Sequence, residues 1–307
     1  MHDVMIIGGG PAGMTAAIYA ARKVLDQVLI SPDVGGQATW ASEIENYLGY
    51  PYISGFDLAL KFESHLKGFG VERVDDRVAS LEKRDDFFIA RTEGGAEFES
   101  RAAIVTSGKS ARNLGVIGEE EFKGRGVTYC ATCDAPLYKG KDVAVVGGGN
   151  AGVSAAIQLS RIANQVYLIE VMRTLTADRK FQQHIKAAQN VRVLTYTDVT
   201  EIHGNKVVEG IGIKDLDSGR ASEIAVGGVF IEIGSMPNTR FLFEEVKVNR
   251  RGEVMIDCAN NTNIKGLFAA GDATNIPHKQ IIIAAGEGAK ALLSAHDYLI
   301  RHSPQPK

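Results

Sequence analysis

The sequence predicts an α/β fold built from two similar units, each opening on a β-strand, a glycine-rich turn and an α-helix. Three observations carry this. The apolar run Asp3 to Ile7 stops at Gly8-Gly9-Gly10-Pro11-Ala12-Gly13 and gives way to the helix-favouring Met14 to Lys23. The plan returns as Asp142 to Val146, Gly147-Gly148-Gly149-Asn150-Ala151-Gly152 and Val153 to Ile162, with Gly8 and Gly147 separated by 139 positions. Short β-like runs follow each opening, as expected of Rossmann-like units that add a smaller β layer to a parallel sheet and its helices.

The glycine spacing has a physical reason. The first glycine makes the tight turn, the second lets backbone approach a pyrophosphate, and the third allows close helix packing. The helix N-terminus then presents free N–H groups and a positive dipole end to the phosphates. One such turn is weak evidence, because glycine-rich turns also arise for packing. Two complete ones in a chain imply that a resident dinucleotide exchanges electrons with a diffusible one.

In the first unit the next strand, Gln27 to Ile30, is followed by Ser31-Pro32-Asp33. Asp33 lies about 20 residues past the glycines, where a ribose-binding carboxylate is expected; a turn aspartate after proline is the alternative. Gly35-Gly36-Gln37 and Glu45-Asn46-Tyr47-Leu48-Gly49 are loop-like, and Gly55 to Gly70 predicts an amphipathic helix with Leu58, Phe62, Leu66 and Phe69 as core. Strands are expected at Arg77 to Leu81, Phe87 to Arg91, Glu97 to Ser100 and Ala103 to Val105, with a hairpin at Gly94-Gly95 and an end at Thr106-Ser107-Gly108. The polar, glycine-punctuated Arg112 to Gly126 suggests a linker.

The second unit carries Tyr129-Cys130-Ala131-Thr132-Cys133-Asp134 just ahead of its first strand. Two cysteines this close can alternate between dithiol and disulfide, which makes them the natural seat of redox chemistry. Zinc would need two further ligands, and no second pair or nearby His couple supplies them. The third cysteine, Cys258, is expected as a buried small hydrophobe.

The strand Gln165 to Ile169 ends in Glu170, 18 residues after Gly152. A carboxylate there accepts hydrogen bonds from the adenosine ribose and repels a 2′-phosphate. Among residues 171–176 only Arg173 is basic, and it is expected as a solvated charge, so the sequence favours NADH over NADPH. Further strands are expected at Val191 to Leu194, Val207 to Lys214 and Glu223 to Ile233, with a turn at Asp217-Ser218-Gly219. A last apolar run, Gly266 to Ala270, closes on Gly271-Asp272-Ala273, and Gln280 to Ile300 is strongly helical. Asp272 can reach a flavin's ribityl or phosphate groups, or cap a helix.

With 34 Lys+Arg against 37 Asp+Glu the net charge is −3, which offers no footprint for nucleic acid or an anionic membrane. Three cysteines cannot form a disulfide framework, and no signal-like or long apolar segment is present, so a reducing cytoplasmic location is expected.

Taken together, these motifs resemble the low-molecular-weight thioredoxin reductases along nearly the whole chain. The likeness rests on Gly8 to Gly13, Gly36-Gln37, Glu45-Asn46, Cys130 to Asp134, Gly147 to Gly152, Gly234-Ser235-Met236-Pro237-Asn238-Thr239, and Gly271-Asp272 followed by Lys279-Gln280. The resemblance implies a discontinuous FAD domain of residues 1–113 and 242–307, and a nicotinamide domain of 114–241 carrying the cysteine pair. It implies FAD contacts from Gly8, Gly10, Pro11, Ala12, Gly13, Asp33, Gly36, Gln37, Asn46, Thr106, Gly271, Asp272, Lys279, Gln280 and Ile281. Gly147, Gly149, Asn150, Ala151, Gly152 and Glu170 would hold the nicotinamide dinucleotide.

By the same resemblance Cys133 faces the flavin, Cys130 is the interchange thiol and Asp134 the acid–base group, with a turn or cap role as the alternative for Asp134. The family also implies a homodimer and a rotation of the nicotinamide domain about crossings near Arg112 to Gly118 and Asn238 to Phe243. The expected partner is a thioredoxin-like or glutaredoxin-like protein, or the separate redox domain of a peroxidase system. One departure stands out. NADPH-using members have a His-Arg-Arg cluster and a later Arg where this chain has Glu170, Val171, Met172 and Thr176, which brings it closer to the NADH-preferring flavoprotein subunit of alkyl hydroperoxide reductases.

Overall fold

The computed structural model describes residues 1–41 and 44–302. They divide into two compact units, one drawn from 1–39, 44–110 and 236–302, the other centred on 111–235. The chain passes between them at 110/111 and 235/236, against the 113/114 and 241/242 expected from the sequence. Asn238 accounts for the second difference: its side-chain amide donates to the Ser107 carbonyl at 2.9 Å and its backbone N–H to the Gly108 carbonyl at 3.0 Å, which fastens it to the first unit.

The first unit opens with β1 (His2–Ile7), α1 (Pro11–Arg22) and β2 (Gln27–Ile30), then α2 (Gly55–Gly68), β3 (Arg73–Val74), β4 (Val78–Arg84), β5 (Phe87–Thr92) and β6 (Glu97–Val105). Its sheet runs β3-β2-β1-β6-β5-β4. The strands from β3 to β6 are mutually parallel, and β5 and β4 add on antiparallel. Val4, Met5 and Ile6 are fully buried, as expected for a strand covered on both faces. In α2, Leu58 and Leu66 enter the core, but Phe69 caps the helix C-terminus and is 41% exposed, so it is not core. The two runs expected at 97–100 and 103–105 are one strand, β6.

After β7 (Lys109–Ala111) the second unit contains β8 (Val127–Thr128), the single turn α3 (Ala131–Asp134), β9 (Asp142–Val146), α4 (Asn150–Ser160) and β10 (Gln165–Glu170). It continues through α5 (Arg179–Ala187), β11 (Val191–Thr195), β12 (Thr197–Gly204), β13 (Val208–Asp215), β14 (Ala221–Ala225) and β15 (Gly228–Ile231). A parallel sheet β11-β10-β9-β15-β8 forms the base, and β12-β13-β14 form a separate antiparallel layer. The run expected at 223–233 is therefore two strands in two sheets. The expected linker, 112–126, is anchored within its unit by the bridge of Ile117 to Glu201 and by the buried Glu119.

Beyond β16 (Ser235–Pro237) the chain returns to the first unit with β17 (Leu267–Ala269), parallel to β6, and α6 (Ile281–Arg301). Helix α6 lies against α1 so closely that a Cβ on Gly288 would be 2.0 Å from the Ala12 carbonyl oxygen, leaving room only for glycine. Cys258 is exposed, contrary to the expected burial. It occupies the turn in which Asp257 Oδ1 accepts the N–H groups of Ala259 and Asn261, both at 2.9 Å, and the turn faces solvent.

Candidate active site

Each glycine turn divides its labour among three positions. Gly8 has φ +118°, and a Cβ there would be 2.4 Å from the Thr106 carbonyl oxygen. The Thr106 hydroxyl donates to the Ile7 carbonyl at 2.9 Å, so this residue secures the turn from β6. Gly13 packs its Cα against the turn, with a Cβ position only 1.8 Å from the Gly8 oxygen. Gly10, by contrast, faces open space, with nothing within 4 Å of its Cβ position, and precedes Pro11 without any side-chain cap. The uncapped N–H groups after it are free for an anion.

The second turn repeats this. A Cβ on Gly147 (φ +123°) would be 2.5 Å from the Glu232 carbonyl oxygen, and one on Gly152 would be 1.8 Å from the Gly147 oxygen. Gly149 meets only Thr176 Oγ1, at 3.8 Å, and α4 also starts without a side-chain cap. Asn150 and Ala151 form the first turn of α4, and the Asn150 amide donates to Asp178 Oδ2 at 2.9 Å.

Strand register aligns the units. Ile7 pairs with Ile30, and Val146 with Ile169, so Ser31 and Glu170 occupy matching positions. Glu170 is buried. Its Oε2 accepts the Gly148 N–H at 2.5 Å and its Oε1 the Met172 N–H at 2.8 Å. In the first unit Ser31, not Asp33, holds that place; its hydroxyl donates to the Asp33 carbonyl at 2.9 Å, and Asp33 is an exposed turn residue.

Two of the remaining first-unit residues, Gly271 and Gly36, lie against the Gly8 to Gly13 turn. A Cβ on Gly271 (φ +73°) would be 3.2 Å from Ala12 Cβ, and Gly36 approaches the Gly10 Cα. Asp272 lies in the short turn Gly271–Ala273, 3.6 Å from the Lys109 ammonium. Burial pushes its carboxyl above the usual range despite Lys109 and Lys279. The Lys279 ammonium donates to the Asp272 and Thr274 carbonyls and pairs with Glu253 at 3.1 Å, holding the loop ahead of α6. Asn46 donates to Gln280 Oε1 at 3.1 Å, and Ile281 begins α6. Gln37 Nε2 is buried with no protein partner. An orphaned buried donor and an open glycine at a helix start fit a bound dinucleotide.

The cysteine pair forms a disulfide across α3, with Cα atoms 5.4 Å apart. Cys130 is the N-cap, its Sγ accepting the Cys133 N–H at 3.3 Å. Thr128, at the end of β8, donates its hydroxyl to Asp134 Oδ2 and accepts the Cys130 N–H at 3.2 Å. Glu232 Oε1 accepts the Ala131 N–H at 3.3 Å. Asp134 is buried, and Tyr138 nearby is pushed up to about 12 by burial and by the Asp134 charge. The Tyr129 hydroxyl donates to Glu119 Oε1 at 2.8 Å, and Glu119 also accepts the Leu114 and Gly115 N–H groups at 2.8 and 2.6 Å. Sequence reasoning missed Thr128, Glu119 and Glu232, because their partners are set by sheet pairing and turns rather than by any local motif.

The profile of the pyridine nucleotide-disulphide oxidoreductases matches residues 2–290. This chain belongs to that family. A solved thioredoxin reductase from Streptococcus pyogenes is 37% identical, with 98% of this chain and 99% of that one covered at a TM-score of 0.91. An Escherichia coli alkyl hydroperoxide reductase subunit is 44% identical over 98% of this chain, as is a protein named NADH dehydrogenase from Ferdinandcohnia aciditolerans. The chain spans 58% of the length of each of these two relatives. Membership makes it a flavoprotein oxidoreductase with a redox-active disulfide, and implies FAD and a pyridine nucleotide. Among the described residues no helix is long and apolar enough to cross a membrane, and no group of three or more His, Cys, Asp or Glu could hold a metal.

Proposed function

We propose that this oxidoreductase carries electrons from NADH, through FAD held by the first unit, to the Cys130–Cys133 disulfide and on to the disulfide of a thioredoxin-like protein. The observation that carries the reading is the placement of the pair: it caps a single helical turn directly ahead of the second glycine turn, with a buried carboxylate alongside. NADH is favoured because Glu170 is fixed against the Gly148 N–H, where it meets the adenosine ribose and repels a 2′-phosphate.

The first glycine turn, with Gln37, Asp272, Lys279 and Gln280, would hold FAD, which would supply a two-electron relay between the nicotinamide and the disulfide. The protein's own residues then govern exchange. Opening the Cys130–Cys133 bond leaves two reduced sulfurs. Cys130, as thiolate, attacks the partner's disulfide and forms a mixed disulfide, expelling one partner sulfur that takes a proton from Asp134. Cys133, passing its thiol proton to Asp134, then attacks Cys130 Sγ, which restores the internal bond and expels the second partner sulfur; that sulfur takes the proton and the partner leaves as a dithiol. Two electrons leave the pair and two reach the partner.

The curated relatives named as alkyl hydroperoxide reductase subunits favour a second acceptor, a thioredoxin-like domain that serves a peroxidase. Steady-state NADH oxidation with thioredoxin, a glutaredoxin-like protein and such an isolated domain distinguishes them. Turnover with one of these, abolished in Cys133→Ser, supports the reading. No turnover with any would overturn it.

A further inference from the structure

We infer that Thr128 is a positioning residue for disulfide exchange, setting both the charge of Asp134 and the geometry of the Cys130 backbone; this rests on the exchange role proposed above for Asp134. One hydroxyl joins the two groups. Thr128 Oγ1 donates to Asp134 Oδ2 and accepts the Cys130 N–H at 3.2 Å. When Asp134 is ionised, the hydroxyl proton goes to the carboxylate while a lone pair receives the amide.

The fold holds Thr128 in place. It sits on the edge strand β8, paired with Phe230 of β15, and is 7% exposed. Phe230 in turn packs edge-to-face on Tyr138 at 5.0 Å, and a Cβ on Gly228 would fall 2.1 Å from the Tyr138 ring, so β15 is shaped to admit that ring. Asp134 is thus enclosed between a fixed hydroxyl and a buried phenol that stays neutral. A hydroxyl donating to a carboxylate favours its charged form, whereas burial favours the neutral acid. Thr128 therefore opposes the effect of burial on Asp134.

The test uses the holoenzyme reduced with dithiothreitol and desalted without oxygen. The rate of Cys130 alkylation by iodoacetamide is followed against pH, with mass spectrometry locating the adduct. Thiolate formation depends on the neighbouring charge, so ionisation of Asp134 appears as an inflection that Asp134→Asn removes. Thr128→Val is expected to move this inflection up by about one to two pH units, the range for losing one hydrogen bond to a carboxylate. Thr128→Ser, which keeps the hydroxyl, is expected to restore it. Should the valine variant fail to fold, Thr128→Ala gives the same test. An unmoved inflection in Thr128→Val or Thr128→Ala, with Asp134→Asn still removing it, overturns the role of Thr128 alone. An inflection that survives Asp134→Asn overturns the role of Asp134 and this one with it.

Discussion

The Arg173 guanidinium forks onto the Asp217 carboxylate, with nitrogen–oxygen distances of 2.7 and 3.2 Å, and lies 3.8 Å from the ring centroid of Tyr196. Tyr196 adopts φ +53°, a left-handed conformation uncommon for a tyrosine, and its N–H donates to the Met172 carbonyl at 2.9 Å. The one basic side chain just past β10 is thereby paired with Asp217 and stacked on Tyr196. Arg173→Ala is expected to change kcat/KM for NADH and for NADPH by less than about threefold, since the pair is exposed. A tenfold loss confined to NADPH would show that Arg173 serves a 2′-phosphate.

Glu170→Gln tests the opposite element. On its proposed role at the ribose, losing this charge is expected to raise KM for NADH about tenfold, the scale of one charge-assisted hydrogen bond, with kcat little altered. The NADPH rate should rise relative to NADH. Equal loss with both donors would mean that Glu170 only supports the Gly148 turn.

The two kinds of glycine should separate cleanly. Gly10→Ala places a methyl where no protein atom lies within 4 Å, so the apoprotein should melt as the native one does while flavin retention falls. Gly13→Ala drives a methyl to 1.8 Å from the Gly8 oxygen and should cost about 1–3 kcal/mol of stability. Flavin absorbance against thermal melting of the apoprotein measures both.

Asp272 sets a pH dependence. Burial raises its carboxyl above 3.8, so the unfolded chain releases that proton first and the group's contribution to stability falls as pH rises from about 4 through the folded pKa. Asp272→Asn is therefore expected to stabilise the apoprotein at pH 7 relative to pH 4, compared with native. The reverse sign would mean that Lys109 and Lys279 outweigh burial.

Both glycine turns, and the strands and helices around them, were legible because their signal lies within about 25 residues and depends on backbone demands that only glycine meets. Less legible features depend on distant pairing. Strand β12 was missed because a bulge between Val199 and Glu201 breaks the alternation of apolar residues. Helix α5 was missed because, in RKFQQHIKA, it buries only Ile185. Asp33 was a candidate ribose ligand by counting residues, yet the register of β1 with β2 assigns the equivalent place to Ser31. In the same way the cysteine pair was plain from sequence, whereas Thr128 gains its meaning only when β8 pairs with β15.

Anaerobic stopped-flow reduction of the flavin, combined with counting alkylatable thiols, tests the central claim most directly. One equivalent of NADH should bleach the flavin transiently, at least about tenfold more efficiently than NADPH, and expose two new thiols, at Cys130 and Cys133, as the flavin colour returns. Faster bleaching by NADPH, or bleaching that exposes neither thiol, would contradict a path from NADH through the flavin to this disulfide.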